Sequence, residues 1–372
     1  MTPGLLPEGL RDRLPPEAEA AAALVATLLG TLASHGYERV QPPLMEYEES
    51  LAGRLANTDR RELLRFIDPV SQRTLALRPD ITGQVARIAA TRLAHVPRPL
   101  RLSYAGPVLR VKGSQLTPER EMLQAGAELI GSDSVAAVVE MLRLAVEAVT
   151  AAGLTGLTVD LTMPSLVGEL AAVWPLAEGK LTEVRARLDG KDVAGLRAAG
   201  GAAYEPLIAA AGPVDSALAT LRGLALPSAI TAHIDDVAAV VAALPAGLPV
   251  TLDPTERHGF EYQSWIGFSL FAAGVRGEVG RGGSYQVIHE TGDERAVGFS
   301  LFVDGLVDAG LGLVERRRVW LPFGTPADAG AELRAQGWMT VAALDADALV
   351  SDCSHRWTAS GVQVQEPTHG RP

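Results

Sequence analysis

Residues 102–131 read LSYAGPVLRVKGSQLTPEREMLQAGAELIG, two extended runs joined by a polar loop, Gly113–Glu119. In a strand successive side chains alternate faces, so in the second run Leu123, Ala125, Ala127 and Leu129 line one face, which is wholly apolar. Met122, Gln124, Gly126, Glu128 and Ile130 line the other. Gln124 and Glu128 point the same way, and Gly126 between them leaves a hole one side chain deep. That pattern describes a pocket floor with hydrogen-bonding walls. It equally describes a sheet with one wet face, and the strand alone leaves both readings open.

Segments on either side of it favour the pocket. Asp80 and Thr82 fall where RTLALRPD, a strand, turns into ITGQVARIAATRLAHV, a helix with Thr82 as the expected N-cap. Arg110 ends the strand before the loop. A free amino acid needs a carboxylate for its ammonium and an arginine for its carboxylate, and Asp80, Glu128 and Arg110 are of those types. Singly, each has a structural reading: Asp80 and Thr82 as helix caps, Arg110 in a surface ion pair worth little.

Composition narrows the function classes. Among 372 residues, 47% are hydrophobic and 21% charged, an ordinary globular balance. No apolar run approaches the roughly 20 residues that span a bilayer, and the alanine-rich stretch 18–29 lacks the basic flank of a signal peptide. A cytoplasmic protein without membrane attachment is the expectation. The one cysteine, Cys353, excludes an internal disulfide framework, and the seven histidines show no i, i+4 ligand pair, so no metal or other cofactor is expected. Lysine occurs three times, at 112, 180 and 191, which leaves little scope for lysine-based covalent catalysis. A net charge of −11 weighs against a nucleic-acid surface.

Further out, a helix is expected from about Pro16 to His35, ended by Gly36, and another from about Ser134 to Ala151, followed by the strand LTVDLT. Residues 166–247 are alanine- and leucine-rich with helical period. Strand character returns at PVTLDPTERHGFEYQSWIGFSLFAAG and GEVGRGGSYQVI, and RRRVWLPFG opens a short tail with one strand–helix–strand pattern. In GFSLFVDGLVDAG, residues 298–310, a short helix is expected, capped by Ser300 and ended by Gly310, with Gly305 inside it, where glycine costs about 1 kcal/mol relative to alanine.

In this order, five segments resemble the catalytic core of histidyl-tRNA synthetase, a class II aminoacyl-tRNA synthetase. LRPDITGQVARIAATR is similar to its LRPE segment, residues 102–131 to its second class II motif, HGFEYQ to its RGLDYY signature, RGGSY to its GGRY turn, and GFSLFVDG to its third motif, GFALGLER. The resemblance covers about residues 5–312. It implies an α+β fold: a six-stranded antiparallel sheet flanked by helices, dimeric through the N-terminal helix and RVQPPLMEY. The core would span 1–165 and 248–315, with a helical insertion at 166–247 and a truncated C-terminal α/β segment at 316–372. It further implies that Asp80, Thr82 and Gln124 hold a histidine ammonium, while Glu128 and Gln263 hold the imidazole. Tyr285 matches the tyrosine of the glycine turn, and Arg110 survives from the second motif. By strict alternation His258 and Gln263 face opposite ways, so a bulge is expected if both reach the pocket.

Set against the same family, the phosphate-gripping positions are lost. Gly305 stands at the third-motif arginine, His258 at the signature arginine, and Pro118 at a loop arginine. Lys112 replaces a glutamate that contacts ATP, and Met122 an aromatic that stacks on adenine. Adenylate formation needs cations on the phosphates, so histidine binding without activation is expected. A synthetase core of this kind resembles the regulatory subunits of ATP phosphoribosyltransferase. That resemblance implies a short-form catalytic subunit as partner, hetero-octamers, and histidine feedback on the first step of histidine biosynthesis. A divergent histidyl-tRNA synthetase or amino-acid-activating ligase, and a stand-alone histidine sensor or tRNA-binding module with another partner, are the alternatives.

Overall fold

The computed structural model describes residues 5–52, 63–113, 118–257, 263–288, 292–314, 317–348 and 353–365. The chain opens with α1 (Glu17–Ser34), β1 (Glu38–Arg39), β2 (Met45–Tyr47), α2 (Glu48–Ala52), β3 (Arg65–Ile67), β4 (Thr74–Leu77) and α3 (Thr82–Thr91). The two extended runs of residues 102–131 follow as β5 (Leu100–Leu109) and β6 (Glu121–Ile130), then α4 (Val135–Ala151) and β7 (Leu157–Thr162). Helices α5 (Leu166–Leu170), α6 (Leu181–Asp189), α7 (Val193–Ala198), α8 (Glu205–Ala209), α9 (Val214–Arg222) and α10 (Ser228–Ala242) occupy the helical stretch, with a two-residue β8 (Gly212–Pro213) among them. Next come β9 (Val250–Asp253), β10 (Gln263–Ala272), β11 (Gly280–Val287), β12 (Glu294–Phe302) and α11 (Val303–Asp308). The tail holds β13 (Arg318–Leu321), α12 (Ala327–Ala335), β14 (Met339–Ala342), β15 (His355–Thr358) and β16 (Gly361–Val364).

The main sheet runs β1-β5-β6-β12-β11-β10-β7-β9-β8. Its middle six strands, β5 to β7 in that order, are antiparallel throughout, as the synthetase resemblance implies. The sheet is wider than six: β1 adds parallel to β5 at one edge, and β9 parallel to β7 near the other, with β8 beyond it. These additions are short because each is a brief extended stop between other elements.

The alternation read from β6 sorts its two faces. Ala125, Ala127 and Leu129 pack with Leu24, Leu28 and Leu32 of α1 and Val138, Met141 and Leu142 of α4 in one apolar core. By length and composition α1 is long and apolar enough to cross a membrane, yet this leucine stripe, repeating every fourth residue on one helix face, is buried within that core. Gly36, at φ +79°, ends α1 in the left-handed region where glycine carries no penalty. Ser134 caps α4, its hydroxyl accepting from the Ala137 N–H.

The opposite face of the sheet is roofed by α3 and the residue before it, with Ile81, Val85 and Ala89 packing on Tyr104, Ile130 and Tyr285. A small sheet, β2-β4-β3, braces that helix. Glu46 of β2 takes a bidentate pair from Arg87 on α3 and a further bond from Gln84. The expected N-cap of α3 is corrected here. Thr82 is its first helical residue, and the N-cap position falls on Ile81, which makes no side-chain capping bond. Asp80, one residue earlier still, serves instead, its Oδ1 accepting from the Thr82 N–H at 2.6 Å, one of the helix N–H groups that lack an intrahelical partner.

The chain divides into two compact units, Met1–Gly312 and Leu313–Pro372. Within the first, the helices of 166–247 do not stand apart: Val184, Leu188, Leu196, Leu221 and Ile234 join the same apolar core as Leu161 and Phe268. The second carries the expected strand–helix–strand, β13-α12-β14, with parallel pairing. It adds a hairpin, β15–β16, on the other side of β13.

Candidate functional site

Gln124 and Glu128 do face the same way, and both are 1% exposed. The hole expected over Gly126 is filled by Tyr104 from β5. A Cβ at 126 would lie 2.6 Å from the Tyr104 hydroxyl and 2.2 Å from the Phe299 carbonyl oxygen. Tyr104 is opposite Gly126 in the ladder, so its ring crosses the gap that the missing side chain leaves.

At one end of the site, Gln124 is satisfied on every side. Its Oε1 accepts from the Ile81 N–H at 3.0 Å, and its Nε2 donates to Asp80 Oδ2 at 2.5 Å and Ser300 Oγ at 2.6 Å. At the other end, Glu128 accepts from the Tyr285 hydroxyl at 2.7 Å and the Tyr104 hydroxyl at 3.1 Å. Tyr104 also lies within 3.3 Å of the Thr82 hydroxyl and 3.0 Å of Ser300 Oγ. Burial pushes the Glu128 carboxyl up to about 8; the nearby Asp80 charge acts in the same sense, and bonds from Tyr285, Thr82 and Tyr104 oppose it. Burial likewise drives the Tyr104 hydroxyl well above its ordinary value, with Glu128 and Asp80 adding to it. Glu128 is therefore mostly neutral at pH 7 and able to donate as well as accept.

The floor is glycine. Gly298 lies opposite Glu128 and Gly283 opposite Gly298 across three neighbouring strands. A Cβ at 298 would sit 1.6 Å from Glu128 Oε2. Gln263 closes the far side: its Nε2 donates to the Gly282 carbonyl at 2.9 Å, and its Oε1 lies where a side chain at 267 would be. The ladder slips between Gln263 and Gly267, four residues on β10 facing two on β11. That bulge follows Gln263, and the Ser284 hydroxyl plugs it, accepting from the N–H groups of Trp265 and Ile266 at 3.2 Å each. The cavity is open at its mouth, and the empty space there, open solvent included, amounts to about 260 Å³. Thr82, Glu128, Gln263, Tyr285 and Ser300 line it, together with Arg281.

The structure thus brings Thr82, Glu128, Gln263 and Tyr285 to the cavity wall, while Asp80 and Gln124 stand behind it, joined to it through Ser300. His258 lies outside the described residues. Arg110 shares the face of Gln124 but sits beyond the last ladder pair, its N–H bonded to the Arg120 carbonyl. It is not among the residues lining the cavity. Between them Arg78 lies over Gly106, donating to the carbonyls of Pro107 and Pro42. Tyr104, Ser300 and Arg281 were not legible as site residues, because their place depends on ladder register. The neighbouring RGGSY run was the one signal that pointed towards Arg281.

At the positions that resemble phosphate-gripping groups, the surroundings have changed as well. Gly305 sits in α11, where an added Cβ would meet Val275 at 3.3 Å. Its neighbour Asp304 accepts from the Leu123 N–H at 2.6 Å and pairs with Arg13, and Asp308 pairs with Arg11 at 3.1 Å. The Arg120 N–H donates to the Gly9 carbonyl at 2.8 Å, so the N-terminal segment is stitched across both motifs.

The family model of histidyl-tRNA synthetase matches residues 9–306. The ATP phosphoribosyltransferase regulatory subunit of Paramagnetospirillum magneticum is 47% identical over 96% of this chain and 97% of its own length. The chain belongs to the family of ATP phosphoribosyltransferase regulatory subunits. Within the histidyl-tRNA synthetase-like fold of that family, a solved regulatory subunit/histidyl-tRNA synthetase from Bacillus halodurans superposes with a TM-score of 0.81 at 23% identity. It covers 94% of this chain and 95% of its own. A chain of the ATP phosphoribosyl transferase (HisG:HisZ) complex from Thermotoga maritima superposes with a TM-score of 0.60 at 20% identity, over 76% and 97%.

Proposed function

We propose that the chain is the non-catalytic regulatory subunit of an ATP phosphoribosyltransferase, partnering a short-form catalytic subunit and conferring histidine feedback on it. The observation that carries this reading is a division within one site. The end read here as the amino-acid end is hydrogen-bonded through Asp80, Gln124, Ser300, Glu128 and Tyr285. The positions that would grip ATP phosphates are Gly305 and Pro118. A pocket that can hold a ligand without activating it acts by biasing another molecule.

In this reading Asp80, Thr82 and Gln124 meet the histidine ammonium, and Glu128, Tyr285 and Gln263 meet the imidazole. Self-association as a dimer, hetero-octamers with the catalytic subunit, and a place in the cytoplasm belong to the same proposal. The family's name supports the partner, and so does the HisG:HisZ complex that contains the superposable Thermotoga maritima chain. The burial of paired polar groups at the site supports the ligand. The test mixes the purified chain with a short-form catalytic subunit, measures mass by light scattering, and assays turnover with and without histidine. A stable complex with turnover that requires this chain and falls with histidine is expected. Independent migration at micromolar concentration, with turnover unchanged, would sink the proposal.

A further inference from the structure

We infer that Arg281 is the cation that takes the carboxylate of the amino acid in this pocket, an inference that rests on the histidine reading above. Among the described residues lining the cavity, Arg281 is the one with a permanent positive charge. It lies directly across the ladder from Ser300, so both side chains stand on the same face of the sheet. Gln124, which donates to Ser300 Oγ, also holds Asp80. Ser300 thus stands between Gln124 of β6, which carries Asp80, and Arg281 of β11. An ammonium and a carboxylate on one carbon need opposite charges flanking one point.

The far end of the ligand fits the same register. Gly298, the position under Glu128, is two residues from Ser300 along β12, a rise of about 6.6–6.8 Å. A charged head at Ser300 then sets the polar tip of a short side chain near Glu128, Tyr285 and Gln263. Glycines at 298 and 283 keep that path clear.

Arg281 is itself held in place. It pairs with Glu278, whose other oxygen accepts from Ser269 Oγ at 2.9 Å. Its guanidinium carbon lies 5.8 Å from the centre of the Phe302 ring. Five N–H donors allow one guanidinium to hold Glu278 and a ligand carboxylate together. Arg110, the arginine expected in this role from sequence, has Arg78 and Gly106 between it and the pocket.

The experiment is calorimetry on the full chain with L-histidine and with L-histidinol, which keeps ammonium and imidazole but lacks the carboxylate. Wild type should prefer histidine at least about tenfold. Arg281→Met should lose roughly ten- to a hundred-fold in histidine affinity, leave histidinol within about threefold, and so erase the preference. Arg281→Lys should keep part of it. Because both ligands are compared in one variant, a folding defect shows as equal loss of both. That result, or a preference unchanged in Arg281→Met, overturns the assignment. Wild type that binds histidine without preferring it to histidinol overturns the anchor alone, and wild type that binds neither overturns the pocket reading with it.

Discussion

A side chain at residue 298 and the carboxyl of Glu128 cannot both exist as they stand, since the added carbon would lie 1.6 Å from Glu128 Oε2. Gly298→Ala should therefore push Glu128 off Tyr285 and abolish histidine binding measured by calorimetry, while circular dichroism shows the fold retained. Glu128 also makes stability depend on pH. Its pKa of about 8 lies above the 4.5 of an unperturbed glutamate, so between those values the folded chain binds a proton that the unfolded chain does not. Stability from this group is present below about pH 4.5 and is lost as pH rises towards 8. Glu128→Gln keeps a neutral hydrogen-bonding side chain and has no proton to lose. Wild type should thus lose melting temperature relative to Glu128→Gln between about pH 5 and pH 8; parallel profiles would show that Glu128 is not held neutral. For Gln124→Ala, loss of one charge-assisted partner, about 1.5–3 kcal/mol, should weaken histidine sensitivity roughly ten- to a hundred-fold.

At the scale of elements, the pocket depends on where strands are irregular. The β10 bulge after Gln263 sets that side chain over Gly267, and Ser284 satisfies the two amide groups that the bulge frees from the ladder. Ser284 is fully buried. Ser284→Ala leaves both amides without that acceptor, and an unsatisfied buried donor costs about 1–3 kcal/mol. Chemical denaturation should read a destabilisation of that order, with a greater loss in histidine affinity than in Ser132→Ala, whose serine lies outside the pocket. On the opposite side, α3 is positioned by its Asp80 cap and by the Glu46–Arg87 pair. One carboxylate therefore starts the helix and holds Gln124 in the site.

For the molecule as a whole, a subunit without chemistry shifts its partner through differential affinity for the partner's states. If histidine favours an inhibited arrangement, phosphoribosyl substrate favouring the active one must weaken histidine binding by the same factor. Calorimetric titration of histidine into the complex, with and without that substrate, should show this reciprocity. The isolated chain should not catalyse histidine-dependent ATP–pyrophosphate exchange, and Gly305→Arg should not restore it. Arg13 and Arg11 already engage Asp304 and Asp308 beside that position, and Pro118 remains without a cation. Exchange above background in the wild type, removed by Arg110→Ala, would overturn the non-catalytic reading.

The sequence by itself determined the two faces of β6, the polar pair Gln124–Glu128 and helices α1 and α4, because alternation and helical period are local properties of the chain; residues 298–302, read as the start of a helix, instead end strand β12. The resemblance of short ordered segments carried the antiparallel centre of the sheet and the loss at 305. Only the tertiary structure decided that Tyr104 fills the gap over Gly126, that Asp80 rather than Thr82 caps α3, and that Arg281 rather than Arg110 borders the cavity. Each of these turns on which residue of one segment lies opposite which residue of another. Register is set by pairing between segments far apart in the chain, such as Tyr104 with Phe299 and Ser300. A hydrophobic pattern constrains a strand's face, whereas its position along the neighbouring strand depends on turns, bulges and close glycine contacts that form only when the sheet assembles.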